Sequence, residues 1–132
     1  MHRSSGRDKA WALGENFAHL SENGDVLPVP VGADFWSNEI DRLPAGRLVS
    51  IFDMSGNWDH WEMHPKGDEW IYLLSGALTL ILQQPAGDLR QEVTAGQFAI
   101  IPRGIWHTAD VRKAGKAIFI TLGDETDHRP RG

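Results

Sequence analysis

The chain has 132 residues, 41% of them hydrophobic and 23% charged, with a formal net charge of −5 and no cysteine. That length suits one folded domain, and the missing thiols exclude disulfides and sulfur ligands, leaving only N and O donors for any metal. The acidic balance and scattered Lys and Arg exclude a nucleic-acid or anionic-membrane partner, and no apolar run reaches spanning length, so a cytoplasmic protein is expected.

Residues 1–20 read as a polar lead, with helix expected only around Lys9–His19. Asn23-Gly24-Asp25 is a turn signal. The stretch Val26–Val31 that follows is extended, and its prolines at 28 and 30 push it toward a sheet edge. From there to Leu122 the chain reads as short apolar strands divided by Gly, Pro and Asp/Asn turns. The expected strands are 47–53, 58–64, 70–74, 77–83, 91–93, 97–101 and 117–122. Ser75-Gly76 reads as a hairpin turn between two of them, and Gly87-Asp88 as another. Residues 123–132 are charged, carry Pro130, and are expected to form a poorly ordered tail. His19 and His128 fall in segments expected to be flexible and receive no role. Short strands at this spacing predict an all-β sandwich or barrel, with 21–122 as its domain.

Two motifs stand out. Gly56 is followed after five residues by Glu62-x-His64, then after four by Glu69, and after six more by Gly76. Gly96 is followed after five residues by Pro102-x-Gly104, and after two more by His107. These spacings resemble the two signature motifs of the cupin superfamily, G-x5-H-x-H-x3,4-E-x6-G and G-x5-P-x-G-x2-H-x3-N. Two letters depart from the pattern: Glu62 stands at the leading histidine and Val111 at the asparagine. The resemblance spans roughly residues 56–111. It implies a double-stranded β-helix, the cupin or jelly-roll barrel, holding a divalent transition metal.

Strand alternation puts Trp58, His60, Glu62 and His64 on one face, with Asp59, Trp61 and Met63 opposite. A polar face turned into a barrel needs compensation, and a cation supplies it. The implied metal ligands are therefore Glu62, His64, Glu69 and His107. Glu62 can bind the ion, act as a base beside it, or pair with His60. His60 can support the site from behind or substitute as a ligand. These two residues are the candidates for moving a proton. Imidazole and carboxylate donors suit Fe, Mn, Ni, Co or Zn.

Six tryptophans are many for this length, and five lie between Trp36 and Trp106. Trp36, Phe52, Trp58 and Trp106 are the candidate pocket wall, fitting a small, partly apolar organic molecule. Trp61 and Trp70 face away from the ligands, toward the sheet sandwich or a dimer interface. Relatives in this superfamily include dioxygenases, isomerases, lyases and decarboxylases. The expected function is a metal-dependent enzyme, with an oxygenase-like reaction favoured. The alternative is a non-catalytic barrel that binds a small ligand. The resemblance also implies a homodimer, formed through Val26–Val31 and the outward tryptophans.

Overall fold

A computed structural model of the chain describes residues 9–32, 43–122 and 126–132. The described residues form eleven strands and no helix. In chain order these are β1 (Asn16–Ser21), β2 (Val26–Pro30), β3 (Gly46–Met54), β4 (His60–Met63), β5 (Glu69–Leu73) and β6 (Ala77–Gln84). They continue with β7 (Gly87–Thr94), β8 (Phe98–Ile101), β9 (His107–Lys113), β10 (Gly115–Thr121) and β11 (Asp127–Pro130). Two antiparallel sheets result, ordered β2-β1-β3-β10-β5-β8 and β11-β4-β9-β6-β7.

The inner faces of the two sheets close on one apolar core. Met54, Ile71, Leu73, Ala99, Ile101, Ala117 and Phe119 come from the larger sheet, and Leu78, Leu80, Leu82, Val93 and Ala109 from the smaller. Period-two alternation makes this possible, since each strand turns every second side chain inward. Full burial of a Leu or Ile contributes roughly 1.5–3 kcal/mol, so this cluster is the main source of stability.

Several sequence expectations are corrected, among them the Gly87-Asp88 turn, which falls inside β7 as ladder partners of Gln84 and Gln83. The helix over Lys9–His19 does not form. The Asn16 and Glu15 amides do bond the Ala12 carbonyl, but this single turn, around Gly14, leads straight into β1. There Phe17 and His19 alternate inward against β3, so His19 is buried rather than flexible.

Ser75-Gly76 is not a hairpin turn. β5 pairs with β8 and β10, whereas β6 pairs with β7 and β9, so this turn carries the chain from one sheet to the other. Gly76 has φ +89°, and a Cβ there would sit 2.5 Å from the Lys113 carbonyl oxygen, so the crossing requires glycine.

The strand β9 had no counterpart among the expected ones. Its run His107-Thr-Ala-Asp-Val-Arg-Lys lacks clean alternation, and it is held as a central strand by β4 and β6. Finally, the charged tail does not end loosely. Residues Asp127–Pro130 form β11 against β4, and the Arg131 amide bonds the Asp59 carbonyl at 3.0 Å. The expected edge position of Val26–Val31 does hold, with β2 closing one side of the larger sheet.

Candidate metal centre

The site begins with a cross-strand row. Glu62 on β4 lies directly opposite His107 on β9 and His128 on β11, so these three side chains share one face of adjacent strands. His64 follows just past the end of β4. Glu69 opens β5 and returns to the same centre from the other sheet.

The two motif loops clasp each other to fix this geometry. The Gly104 amide donates to the His64 carbonyl at 2.9 Å, and the Arg103 amide donates to Asp68 Oδ1 at 2.9 Å. That amide, with the Arg103 side chain, holds the Asp68 carboxyl below its ordinary value. Gly104 itself has φ +78°, the left-handed bend that delivers His107 to the interior.

At the centre, His64 Nε2 lies 3.3 Å from Glu69 Oε2, and His107 Nε2 lies 3.2 Å from Glu69 Oε1. Glu62 Oε1 stands 3.9 Å from His64 Nε2. These contacts are close, yet His64 Nε2, Glu69 Oε1 and His107 Nε2 are buried without a hydrogen-bond partner. An orphaned buried polar atom is costly, and three aimed at one another mark a position for something they share.

The far nitrogens are already engaged. His107 Nδ1 contacts the Ile105 carbonyl at 3.2 Å, and His64 Nδ1 contacts Thr126 Oγ1 at 3.0 Å. A carbonyl only accepts, so His107 Nδ1 donates to it, which leaves Nε2 as the ring atom available to an ion. Glu62, His64 and His107 each bring one donor within 4.8 Å of the other two. The donor set and its orphaned atoms therefore fit a divalent ion.

The charges are strongly coupled. Burial works to lower the His64 pKa, but the adjacent Glu69 and Glu62 carboxylates outweigh it and the net shift is upward. Burial likewise works to raise Glu69, and the flanking His107 and His64 overcome it, holding the carboxyl below its ordinary value.

Around the centre, His60 stacks on Trp58 with ring planes 2° apart, and Trp58 in turn packs on Phe119. Phe119 meets Phe52 edge-on at 5.6 Å. Thus Phe52 and Trp58 belong to one aromatic wall, linked by Phe119, a residue that carried no sequence signal. Trp106 is placed differently. Its ring and that of Trp61 flank the Arg129 guanidinium, on the face turned away from Glu62 and His128. Trp36 lies outside the described residues. Sequence reasoning missed Thr126 and His128, since both belong to a segment that reads as a tail until its pairing with β4 is seen.

The family model described as the Cupin domain matches residues 50–123. The chain belongs to the cupin family. A search of curated proteins found no match. Among solved structures, the chain is similar to the oxalate decarboxylase of Lactobacillus farciminis in its formate complex, at 13% identity and a TM-score of 0.57. That likeness covers 70% of this cupin but only 28% of the other chain. It is also similar to the conserved SPY1581 protein of unknown function from Streptococcus pyogenes, at 21% identity and a TM-score of 0.50, covering 60% of this chain and 66% of that one. The cobalt(II) form of HppE in complex with substrate matches at 15% identity and a TM-score of 0.51, covering 61% of this cupin and 46% of that chain. At such identities the likeness speaks for the fold alone.

Proposed function

We propose that this cupin is a metal-dependent enzyme acting on a small, partly apolar organic molecule, with an oxygenase-like reaction. The observation that carries the reading is the trio of orphaned, inward-facing atoms, His64 Nε2, Glu69 Oε1 and His107 Nε2. Those residues, with Glu62, would hold Fe, Mn, Ni, Co or Zn. When bound, such an ion supplies Lewis acidity and, for the redox-active members, an electron-transfer centre. The Bacillus subtilis oxalate decarboxylase with Mn(II) centres and the cobalt(II) form of HppE, which share the fold, support a metal-holding reading.

The chain's own residues do the rest. Trp58, Phe119 and Phe52 form an apolar wall beside the centre, which favours an organic substrate with an apolar part over a sugar phosphate. Glu62 Oε2 lies 2.8 Å from His60 Nε2, and His60 Nδ1 lies 2.9 Å from the exposed Asp59 carboxylate. That chain of groups can pass a proton between the centre and solvent.

The test is elemental analysis of chelator-free protein beside His107→Ala, followed by oxygen-uptake screening of the loaded form with small aromatic and aliphatic acids. Near-stoichiometric metal lost in His107→Ala, with substrate-dependent oxygen uptake, supports the reading. Metal without turnover supports the non-catalytic ligand-binding barrel. No metal after reconstitution overturns both the centre and the enzyme.

We also infer a homodimer. Two apolar cross-strand rows, Ile51-Ile118-Tyr72-Phe98 and Val49-Ile120-Trp70-Ile100, run over the outer face of the larger sheet. Phe98 and Ile100 remain more than half exposed, at 56% and 54%. A continuous apolar face of this kind favours a second copy over water.

A further inference from the structure

Glu62 faces two ways. Its Oε1 points toward His64 in the centre described above, whereas its Oε2 is turned outward, 2.8 Å from His60 Nε2 and 3.6 Å from His128 Nε2. His60, Glu62 and His128 each bring one donor within 4.8 Å of the other two, which makes a second triad beside the first. We propose that this triad is a second divalent-cation site, with Glu62 bridging it to the inner centre.

The geometry is close to what such an ion needs. A tetrahedral zinc with bonds of about 2.0–2.1 Å holds neighbouring donors roughly 3.3 Å apart, and the two contacts of Glu62 Oε2 bracket that spacing. The histidines come from adjacent paired strands, since His128 sits opposite Glu62 and Pro130 opposite His60. Their rings lie 5.6 Å apart and tilted by 47°.

His60 is also prepared from behind. Asp59 Oδ1 accepts from its Nδ1 at 2.9 Å, which leaves Nε2 as the coordinating atom, and Trp58 stacks flat against the ring. A carboxylate behind a histidine in this way fixes the tautomer and raises ligand basicity. The triad offers three protein donors and opens to solvent, with the His128 side chain 57% exposed. Three donors with an open fourth position characterise a site able to accept water or a ligand group. Nitrogen and carboxylate donors select Zn, Ni, Co or Cu rather than Mg or Ca.

Occupation of this position would have a consequence for the inner one. An ion there takes the place of the 2.8 Å contact between His60 Nε2 and Glu62 Oε2, closing the relay to solvent. The inference adds to the proposed inner centre and shares Glu62 with it, but does not require the inner ion.

The experiment is a zinc titration of the full, chelator-stripped chain, reading bound zinc per chain after equilibrium dialysis, for the parent, His128→Ala, His107→Ala and Asp59→Asn. The expected parent stoichiometry is about two zinc ions, falling to about one in either His→Ala variant. Asp59→Asn is expected to keep the inner ion and weaken the outer one by about 10–100-fold. Cobalt substitution of His107→Ala then gives the outer ion's own visible spectrum, abolished in the His107→Ala/His128→Ala double variant. If His107→Ala changes nothing and His128→Ala removes the sole ion, the inner centre fails while the outer site stands. The proposal is overturned by a single ion lost in His107→Ala but retained in His128→Ala. A single ion lost in both variants, meaning one shared position, also overturns it. So does a second equivalent that persists in both His128→Ala and Asp59→Asn, an adventitious ion only.

Discussion

Thr126→Val isolates the part of the centre that the C-terminal segment contributes. The Thr126 hydroxyl lies 3.0 Å from His64 Nδ1, and the substitution removes that oxygen while keeping the side chain's shape. Without that partner at Nδ1, nothing holds the ring's orientation and tautomer, and Nε2 must present a lone pair to bind an ion. Loss of such a supporting contact costs about 10–100-fold in metal affinity, or about 1.4–2.7 kcal/mol at 1.36 kcal/mol per decade. The metal-free fold loses only one partly buried hydrogen bond, about 1 kcal/mol. The assay is a competition titration against a chromophoric chelator at fixed pH, with Thr126→Ser as the hydroxyl-retaining control. Thr126→Ser should stay near the parent. Should Thr126→Val bind metal within twofold of the parent, the hydroxyl does not orient His64 and the reasoning fails.

Other expectations follow from the same structure. Leu80→Ala, at a fully buried core position, is expected to lower the unfolding free energy by about 2–5 kcal/mol in urea denaturation, and a loss under about 1 kcal/mol would contradict the core assignment. Phe98→Lys/Ile100→Lys should shift sedimentation toward the monomer at micromolar concentration, and an unchanged sedimentation coefficient would remove this face as the interface.

pH should act oppositely on the metal-free and loaded protein. The raised His64 pKa means its folded-state stabilisation is fully present below the ordinary imidazole value of 6.5 and is lost as pH rises through the higher folded value. Glu69 is lowered, so its contribution is present above the ordinary carboxylate value and disappears only as pH falls through the folded one. Metal binding must displace the His64 proton, so affinity should fall as pH drops through that raised value. Melting curves across pH 5.5–8.5 with and without zinc should therefore diverge as pH rises, and parallel curves would rule out competition at His64.

Much of this protein was written locally. The two glycine-framed motifs carry Glu62, His64, Glu69 and His107, whose residue types and spacing were legible in the sequence, while the contacts between the two motif loops set their geometry. Period-two alternation put Trp58, His60, Glu62 and His64 on one face, and the structure keeps His60, Glu62 and His128 together on that side while Asp59 reaches solvent. The prolines of Val26–Val31 set that strand at an edge for an equally local reason, the missing amide.

What escaped the sequence depends on pairing between distant segments. Nothing in Asn16–Ser21 distinguishes a strand from a short amphipathic helix until β3 offers an edge. The Ser75-Gly76 turn looks like any hairpin until β10 pairs with β5 and β9 with β6, claiming its two flanks for different sheets. Most consequentially, residues 126–131 read as a charged tail by composition. Only the ladder with β4 brings Thr126 behind His64 and sets His128 opposite Glu62. The motifs name donors for one ion. Tertiary pairing alone supplies the support behind one ligand and the third donor of the proposed second site, because contacts 62 and more residues apart leave no periodic trace in a single chain.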